Sequence, residues 1–184
     1  LTKLDSSVKR NTTLNKKLRC VTEETKQSVL ADVSRANQRK YVTEAAAAVG
    51  EVLFKQKDVS AVAEVCSAMH SKYGEFASAL LPQLAKVARG EVGQEGLTLT
   101  RKRNALRLIV ELLVVGVHTN AGPLERMVEE ICEDVGEVST AEEEEQQQEQ
   151  QQEVDQRAQN ALAMLATFAK HGREEVLGTP SPAP

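Results

Sequence analysis

Cys66 and His70 are the two side chains in this sequence whose spacing most resembles that of a nucleophile and its base. Four residues apart on a helix, they would lie on one face, where the imidazole could polarise the thiol. No third group that would orient the imidazole can be identified in the sequence. We interpret the pair as a core cysteine beside a partly buried histidine, and we expect no catalytic residue and no enzymatic activity.

The other histidines and cysteines do not have the spacing of a metal site. His118 and His171 belong to no His-x-x-x-His or Cys-x-x-Cys motif. Both are interpreted as residues at helix C-termini, where the helix dipole favours an imidazolium. Cys20, Cys66 and Cys132 lie far apart within helical patterns, which argues against a disulfide framework and favours a reducing compartment. We expect neither a metal nor a cofactor.

Two further patterns contain residues that bind phosphate or transfer protons in other proteins. The glycine-containing segment Gly90–Gly96 lacks the Lys-Ser/Thr pair of a phosphate-binding loop and follows no strand. The carboxylates of Glu142–Glu145 lie in a Glu/Gln run without an apolar stripe, so nothing would desolvate them and raise their pKa. We interpret the first as a loop and the second as a solvated surface.

Basic residues form the pattern to which a function can be assigned. They gather in two stretches, at Lys9, Arg10, Lys16, Lys17, Arg101, Lys102, Arg103 and Arg107. One interpretation is an ordinary solvated face. The other is a surface for the phosphate backbone of RNA or for an acidic protein segment, which would bind weakly, without sequence preference and in a salt-sensitive way. With 3% aromatic residues and no Trp, the chain offers few platforms for base stacking.

The charge is distributed unevenly along the chain. The whole chain has a net charge of -4, yet residues 1–40 contain ten Lys or Arg against four acids, a balance of +6. Residues 136–155 contain eight acids and no base. A basic end therefore remains available to an anionic partner even though the chain is acidic on average.

Periodicity and turn residues predict eight helices and no strand. Their approximate bounds are Ser6–Leu18, Glu23–Val33, Tyr41–Phe54, Asp58–Tyr73, Glu75–Arg89, Thr100–Val117, Pro123–Val135 and Thr140–Lys170. In the fourth helix, Asp58 is the predicted N-cap, with its carboxylate accepting from first-turn amides. The core face of that helix is predicted to consist of Val59, Val62, Cys66, Met69 and Tyr73.

The later helices carry their own signals. Pro82 is expected to kink the fifth helix or to end its first half. The sixth is apolar nearly all round from Leu106 to Val117 and is expected at the centre of the fold. This run is too short to cross a bilayer, which needs about 20 residues, and we expect no membrane contact. In the eighth helix, Thr140 and Glu143 predict a capping box.

Helices of about 10 to 20 residues in pairs of about 40 predict an all-α fold, an α-solenoid of antiparallel, HEAT-like helical hairpins. A pair of four-helix bundles is the structural alternative. We expect one monomeric domain over residues 1–178, as a fragment of a longer protein, with a Pro-rich tail at 179–184. Residues 141–153 are predicted to be a Glu/Gln-rich solvated insertion, either helical or disordered.

Several irregular blocks occur in order along the chain: Leu4–Asn11, Lys40–Ala45, Cys66–His70, Tyr73–Ala77 and Leu106–Val117. In this order and at helical spacing they resemble the first middle domain of the up-frameshift-two family, the scaffold proteins of nonsense-mediated mRNA decay. The resemblance runs from about Leu4 to Gly178. The first block resembles the family's opening helix, in which Asp5 or Ser6 would be the cap and Arg10 would reach a carboxylate on the next hairpin.

The resemblance implies a non-catalytic, cytoplasmic or perinuclear scaffold module with the fold of the middle domain of initiation factor four-G. It also implies other mRNA surveillance proteins as partners, mostly through regions outside this segment. The alternative is the middle domain of a translation-initiation or splicing scaffold, which would dock an RNA helicase or RNA.

Overall fold

All the regular structure that the computed structural model describes is helical. The described backbone covers residues 8–52, 54–91, 98–136, 148–172 and 176–178. Its α-helices are α1 (Val8–Leu18), α2 (Lys26–Arg35), α3 (Val42–Gly50), α4 (Val59–Lys72), α5 (Phe76–Arg89), α6 (Leu99–Val114), α7 (Gly122–Gly136) and α8 (Gln148–His171), with a 3-10 turn at Gln56–Asp58. These ranges contain no β-strand, and the predicted all-α class is confirmed.

The chain divides into two compact units, residues 1–119 and 120–184. In the first unit, helices alternate between two layers: α1, α3 and α5 pack side by side in one, and α2, α4 and α6 in the other. The α1/α2 and α5/α6 pairs also pack across the layers. This is the HEAT-like arrangement of helical hairpins that the sequence predicts.

The core between the layers is mainly aliphatic, with the aromatic side chains of Phe76 and Tyr73 also buried in it. The largest fully buried side chains of the first unit include Leu14, Leu18, Met69, Phe76, Leu80, Leu84, Leu106, Leu108 and Leu112. The predicted stripe of α4 is confirmed, since Val59, Val62, Cys66, Met69 and Tyr73 are all buried. Four alanines of α3 and α4, at positions 45, 46, 48 and 61, are fully buried and allow the helix backbones to approach closely.

Two helices end in a glycine with left-handed backbone. Gly116 has φ +73°, and its N–H donates to Leu113 O while Val117 N–H donates to Leu112 O. The same pair of bonds closes α5 at Gly90, which has φ +84°. These are Schellman caps, which satisfy carbonyls that the helix itself leaves unpaired. The cap explains why α6 ends at Val114 and not at Val117 as predicted.

Helix α3 is shorter than predicted, because it ends at Gly50 and not at Phe54. The carbonyls after Gly50 are bonded by α6: Arg101 Nη2 donates to Glu51 O at 3.2 Å, and Asn104 Nδ2 donates to Phe54 O at 2.7 Å. Gly50 also lies against Gln83 so closely that a Cβ there would come within 2.8 Å of its Oε1. The tertiary contact with α6 therefore overrides the helical propensity of the segment.

The predicted N-cap role of Asp58 is wrong. Asp58 precedes α4, but its side chain makes no capping hydrogen bond to that helix. Its Oδ1 instead accepts from the backbone N–H of Glu23 at 3.1 Å, and the residue is 2% exposed. The carboxylate therefore ties the α1–α2 loop to the start of α4, a long-range partner that local sequence does not reveal.

Other predicted features of the middle helices are located by the structure. Helix α5 is continuous through Pro82, so the proline does not end its first half. Helix α6 packs on both α4 and α5, and its residues at 104–106, 108–110 and 112 are buried. No helix in the described ranges is long and apolar enough to cross a membrane.

The corner between α2 and α3 is held by side chains from the end of α4. Lys72 Nζ donates to three carbonyls at the end of α2, those of Val33, Ser34 and Ala36, at 2.7 to 2.9 Å. The Tyr73 hydroxyl donates to Ala36 O at 3.2 Å and accepts from the buried Gln38 N–H at 2.8 Å. The α4 helix thus supplies partners for backbone groups that α2 leaves unsatisfied.

The second unit contains the α7/α8 hairpin. Its buried side chains, among the residues described, are Leu124, Met127, Ala158, Ala161, Met164, Thr167 and Phe168. The backbone of α8 is helical from Gln148, so the last part of the Glu/Gln tract is helical. The predicted capping box at Thr140 and Glu143 lies outside the described residues, as do Asp5 and Ser6.

Leu112→Asp should unfold the first unit. The substitution places an unpaired charge at a position that is 0% exposed, with an expected loss of about 4 kcal/mol or more in the free energy of unfolding. Thermal and urea unfolding followed by circular dichroism would measure it. Val114→Asp is the matched control, because Val114 lies on the same helix and is 40% exposed. Equal stability of the two variants would contradict the assignment of Leu112 to the core.

Tyr73→Phe should destabilise the domain by about 1–3 kcal/mol, because it leaves the buried Gln38 N–H without its acceptor. Tyr41→Phe is the control, since Tyr41 is only half-buried. Urea midpoints at constant m-value would report the difference. A loss no larger for Tyr73→Phe than for Tyr41→Phe would show that the hydroxyl does not hold the corner.

Candidate functional site

The Cys66 thiol is unsuited to nucleophilic chemistry. Cys66 is 0% exposed, and burial raises the pKa of its thiol to about 12. The thiolate, which is the reactive form, is therefore scarce at neutral pH. His70 is half-buried on the same helix. Across the described ranges, no group of three His, Cys, Asp or Glu side chains is arranged to hold a metal ion.

The other residues considered for catalysis or phosphate binding, as far as the structure describes them, lie at or just beyond helix ends. His118 lies beyond the end of α6, with its Nε2 3.4 Å from Ile109 O. His171 is the last residue of α8, as predicted. Gly90 is the left-handed cap of α5, and residues 92–97 of the predicted loop lie outside the described part, as do Glu142–Glu145.

The four basic residues of α1 differ in their environments. Lys9 and Lys16 are exposed, and Arg10 is half-buried. Lys17 Nζ bonds to the Asp32 carboxylate and, at 3.3 Å, to the Ser28 hydroxyl, which ties α1 to α2. Lys9 and Lys16 are thus the α1 residues that present their charge most openly to solvent.

The α6 residues contribute more to the fold than to the surface. Arg107 donates from Nε to Glu111 Oε1 at 2.7 Å, from Nη1 to Gln56 O at 2.7 Å and from Nη2 to Ser60 Oγ at 3.2 Å. Its side chain is only 15% exposed. Arg101 donates to Glu51 O, as described above, and Lys102 and Arg103 are half-buried. Arg107 therefore links α6 to the 3-10 turn and to α4.

The two predicted basic stretches lie at different ends of the first unit's layers. Helix α1 packs on α2 and α3, whereas α6 packs on α4 and α5. Glu51 is bonded from both sides: Arg19 Nη2, just after α1, is 3.0 Å from its Oε2, and Arg101 Nη2 of α6 donates to its carbonyl. The eight predicted residues therefore do not line one groove.

A third group of cations, outside the predicted set, lies at the α2–α3 corner. Arg35, Arg39 and Lys40 are exposed there, and among the described residues none of them forms an ion pair. The signal in the sequence was present, because residues 35–40 contain three bases and no acid. These three cations contribute to the balance of +6 in residues 1–40 but are not among the eight predicted basic residues.

Two cavities lie beside these basic groups. One of about 230 Å³ adjoins Arg101 between α3, α5 and α6. The other, of about 300 Å³, lies where α3 and α5 begin. The second cavity is lined by Arg39, Lys40, Val42, Thr43, Glu75, Ser78 and Ala79. Both cations of this lining are exposed, so it is an open surface feature that an anion could reach from solvent.

Comparison with known proteins identifies relatives along nearly the whole chain. No family model matches the sequence. It is 28% identical over 176 residues to regulator of nonsense transcripts 2 of Mus musculus, covering 96% of the chain and 12% of the relative. It is 30% identical over 176 residues to the regulator of nonsense transcripts UPF2 of Arabidopsis thaliana, covering 92% of the chain and 14% of the relative. The chain therefore spans about an eighth of the length of these relatives.

The fold has a close counterpart among solved structures. The crystal structure of the first MIF4G domain of the human nonsense mediated decay factor UPF2 matches with a TM-score of 0.73 and 29% identity. The match covers 95% of this chain and 51% of that one. The resemblance inferred from the residue blocks is thus confirmed in both sequence and structure, and the chain belongs to the family of first MIF4G domains, the helical middle domains of regulators of nonsense transcripts 2.

Proposed function

We propose that this domain is a non-catalytic scaffold module of a factor in nonsense-mediated mRNA decay. The observation that carries the proposal is the likeness to regulators of nonsense transcripts over 92 to 96% of the chain. The buried Cys66 thiol and the structural roles of the histidines agree with a module that works by binding.

The architecture suits a scaffold because successive hairpins are tied together by side chain to backbone bonds. Lys72 holds the end of α2, Asp58 holds the loop after α1, and Arg107 joins α6 to the turn before α4. Each bond links segments far apart in sequence, so the hairpins keep fixed positions relative to one another. A fixed stack of hairpins offers extended surfaces to partners.

The proposed partners are other mRNA surveillance proteins, bound by a monomer in the cytoplasm or near the nucleus, mostly through regions outside this domain. The alternative, a translation-initiation or splicing scaffold that docks an RNA helicase, is supported only by the shared type of middle domain. Surveillance is therefore the function that the comparisons favour.

Weak RNA binding is a second part of the proposal, and it is supported by charge. Residues 1–119 contain 19 Lys or Arg against 12 Asp or Glu, a balance of +7, whereas residues 120–184 contain 4 against 15. The first unit is therefore basic within an acidic chain. Of the eight predicted basic residues, the exposed Lys9 and Lys16 are the best placed to meet phosphates, since Lys17 and Arg107 are bonded within the protein.

A chimera tests the surveillance role. In mouse cells that lack their own regulator of nonsense transcripts 2, a copy whose matching segment is replaced by this chain should restore rapid decay of a transcript with a premature stop codon. The reason is that a scaffold module of the same fold should keep the flanking regions in place. Transcript half-life would be compared with that given by a copy lacking the segment.

The same chimera carrying Leu112→Asp is the control for folding. If the unmodified chimera is expressed and folded, but the transcript decays no faster than in cells with the copy lacking the segment, the proposed surveillance role is wrong. The chimera could also be purified from an RNase-treated cell extract and its bound proteins identified. Initiation factors in place of surveillance factors would favour the alternative.

RNA binding should weaken steeply with salt and depend little on sequence. Each phosphate contact on a single strand should contribute about -0.7 to the slope of log affinity against log salt, because condensed counterions are released. Fluorescence anisotropy with labelled oligouridylate and with a mixed-sequence RNA would measure the slope. A preference of more than about tenfold for one sequence would contradict a contact made through the phosphate backbone.

A further inference from the structure

Arg35, Arg39 and Lys40 form a basic surface at the corner between α2 and α3, which we term the corner surface. We propose that the corner surface, extended along the first turns of α3 and α5, is where the phosphate backbone of single-stranded RNA binds. The inference rests on the RNA binding proposed above and assigns it to residues outside the predicted set.

The three cations of the corner surface have no ionic partner among the described residues, unlike several other cations of the first unit. Elsewhere, Arg19 pairs with Glu51, Lys26 with Glu23 and Glu64, and Lys57 with Glu24. Among the described residues, no carboxylate lies within ion-pair distance of Arg35, Arg39 or Lys40. Three exposed charges close together in sequence and unneutralised by the protein are free to bind an external anion.

Backbone donors lie next to these cations. The residues that precede α3 and α5, Tyr41 and Glu75, supply no side-chain cap. The first amide of α3 bonded to a preceding carbonyl is that of Ala45, which donates to Tyr41 O. The N–H groups of residues 42–44 therefore have no acceptor among the described residues, and the same holds for residues 77 and 78 of α5. Such amides donate readily to phosphate oxygens.

Residues from the first turns of both helices line one cavity. Helices α3 and α5 pack side by side, and the cavity of about 300 Å³ is lined by Val42 and Thr43 from one and by Ser78 and Ala79 from the other. The hydroxyl of Thr43 adds a group of a kind that commonly contacts phosphates, whereas the Ser78 hydroxyl already donates to Glu75 O at 2.8 Å. Arg39 and Lys40 lie on the same lining, so cations and amides can act on one strand of RNA.

Two exposed carboxylates oppose this binding. Glu75 lines the cavity, and Glu44 lies in the first turn of α3. Their charges lower the affinity for any anion, which agrees with weak binding. RNA is favoured over an acidic peptide as the occupant for a separate reason. RNA releases condensed counterions on contact with few cations, whereas the flexible carboxylate side chains of a peptide lose conformational entropy when they are held.

The test is a titration of labelled oligouridylate with the whole chain at several salt concentrations. Arg39→Gln/Lys40→Gln should weaken binding about tenfold near 0.15 M salt and reduce the slope by about 1.4, the effect of two lost phosphate contacts. Lys55→Gln/Lys86→Gln is the matched control. It also removes two exposed positive charges, but outside the corner surface, and it should change affinity less than about twofold. Glu75→Gln should strengthen binding.

Several outcomes would overturn the assignment. Equal losses in the two double variants would mean that only overall charge matters. If the wild-type chain did not bind RNA at low salt, both this inference and the proposed RNA binding would be refuted. The surveillance role would still be tested separately by the chimera experiment. Tighter binding of polyglutamate than of RNA, lost in Arg39→Gln/Lys40→Gln, would assign the surface to an acidic protein partner and not to RNA.

Discussion

The constraint on which this structure depends is that every short helix leaves unpaired backbone groups at both ends. Six helices of 9 to 16 residues in the first unit create many such ends close to the core. The protein satisfies part of them locally, with the Schellman caps at Gly90 and Gly116. Others are satisfied by ionisable side chains from neighbouring hairpins, such as Lys72 at the end of α2 and Asp58 at the α1–α2 loop. The same hydrogen bonds therefore satisfy the helix ends and fix one hairpin against the next.

This constraint also divides the cations into two groups. Arg101, Arg107 and Lys72 bond to carbonyls of other segments, so their loss would remove links between segments. For Lys72, whose bonds to Val33 O and Ala36 O are part-buried, the loss would also leave shielded acceptors without a donor. Partial burial lowers the pKa of Lys72, yet its three carbonyl acceptors keep its donors bonded. Arg39 and Lys40 have no such duty, so they can change without disturbing the stack. Because the fold does not depend on the side chains of Arg39 and Lys40, these two cations can most readily take a binding role.

Much of the fold could be predicted from the sequence, because the information is local. Apolar periodicity identified the buried face of α4, and helix order followed from turn residues. Two of the errors share one cause, which is that a distant partner overrode a local preference. Asp58 has the sequence signature of an N-cap but bonds to Glu23, and α3 stops early because Arg101 and Asn104 hold the following carbonyls. The candidate site was less predictable for the same reason: clustering of basic residues in sequence does not show which of them the fold itself requires.

Because Cys66 is buried, the reactivity of its thiol can be used to measure how often the packed helices separate. Cys20 and Cys132 are exposed and should react with a thiol reagent in the native state, whereas Cys66 is shielded by the packed face of α4. Modification of Cys66 must await a fluctuation that separates the two layers, so its rate reports how often the stack opens. A partner that holds the hairpins together would slow that modification even if it bound far from α4. The modification rate of this one core thiol would therefore measure how strongly the hairpins are coupled to one another.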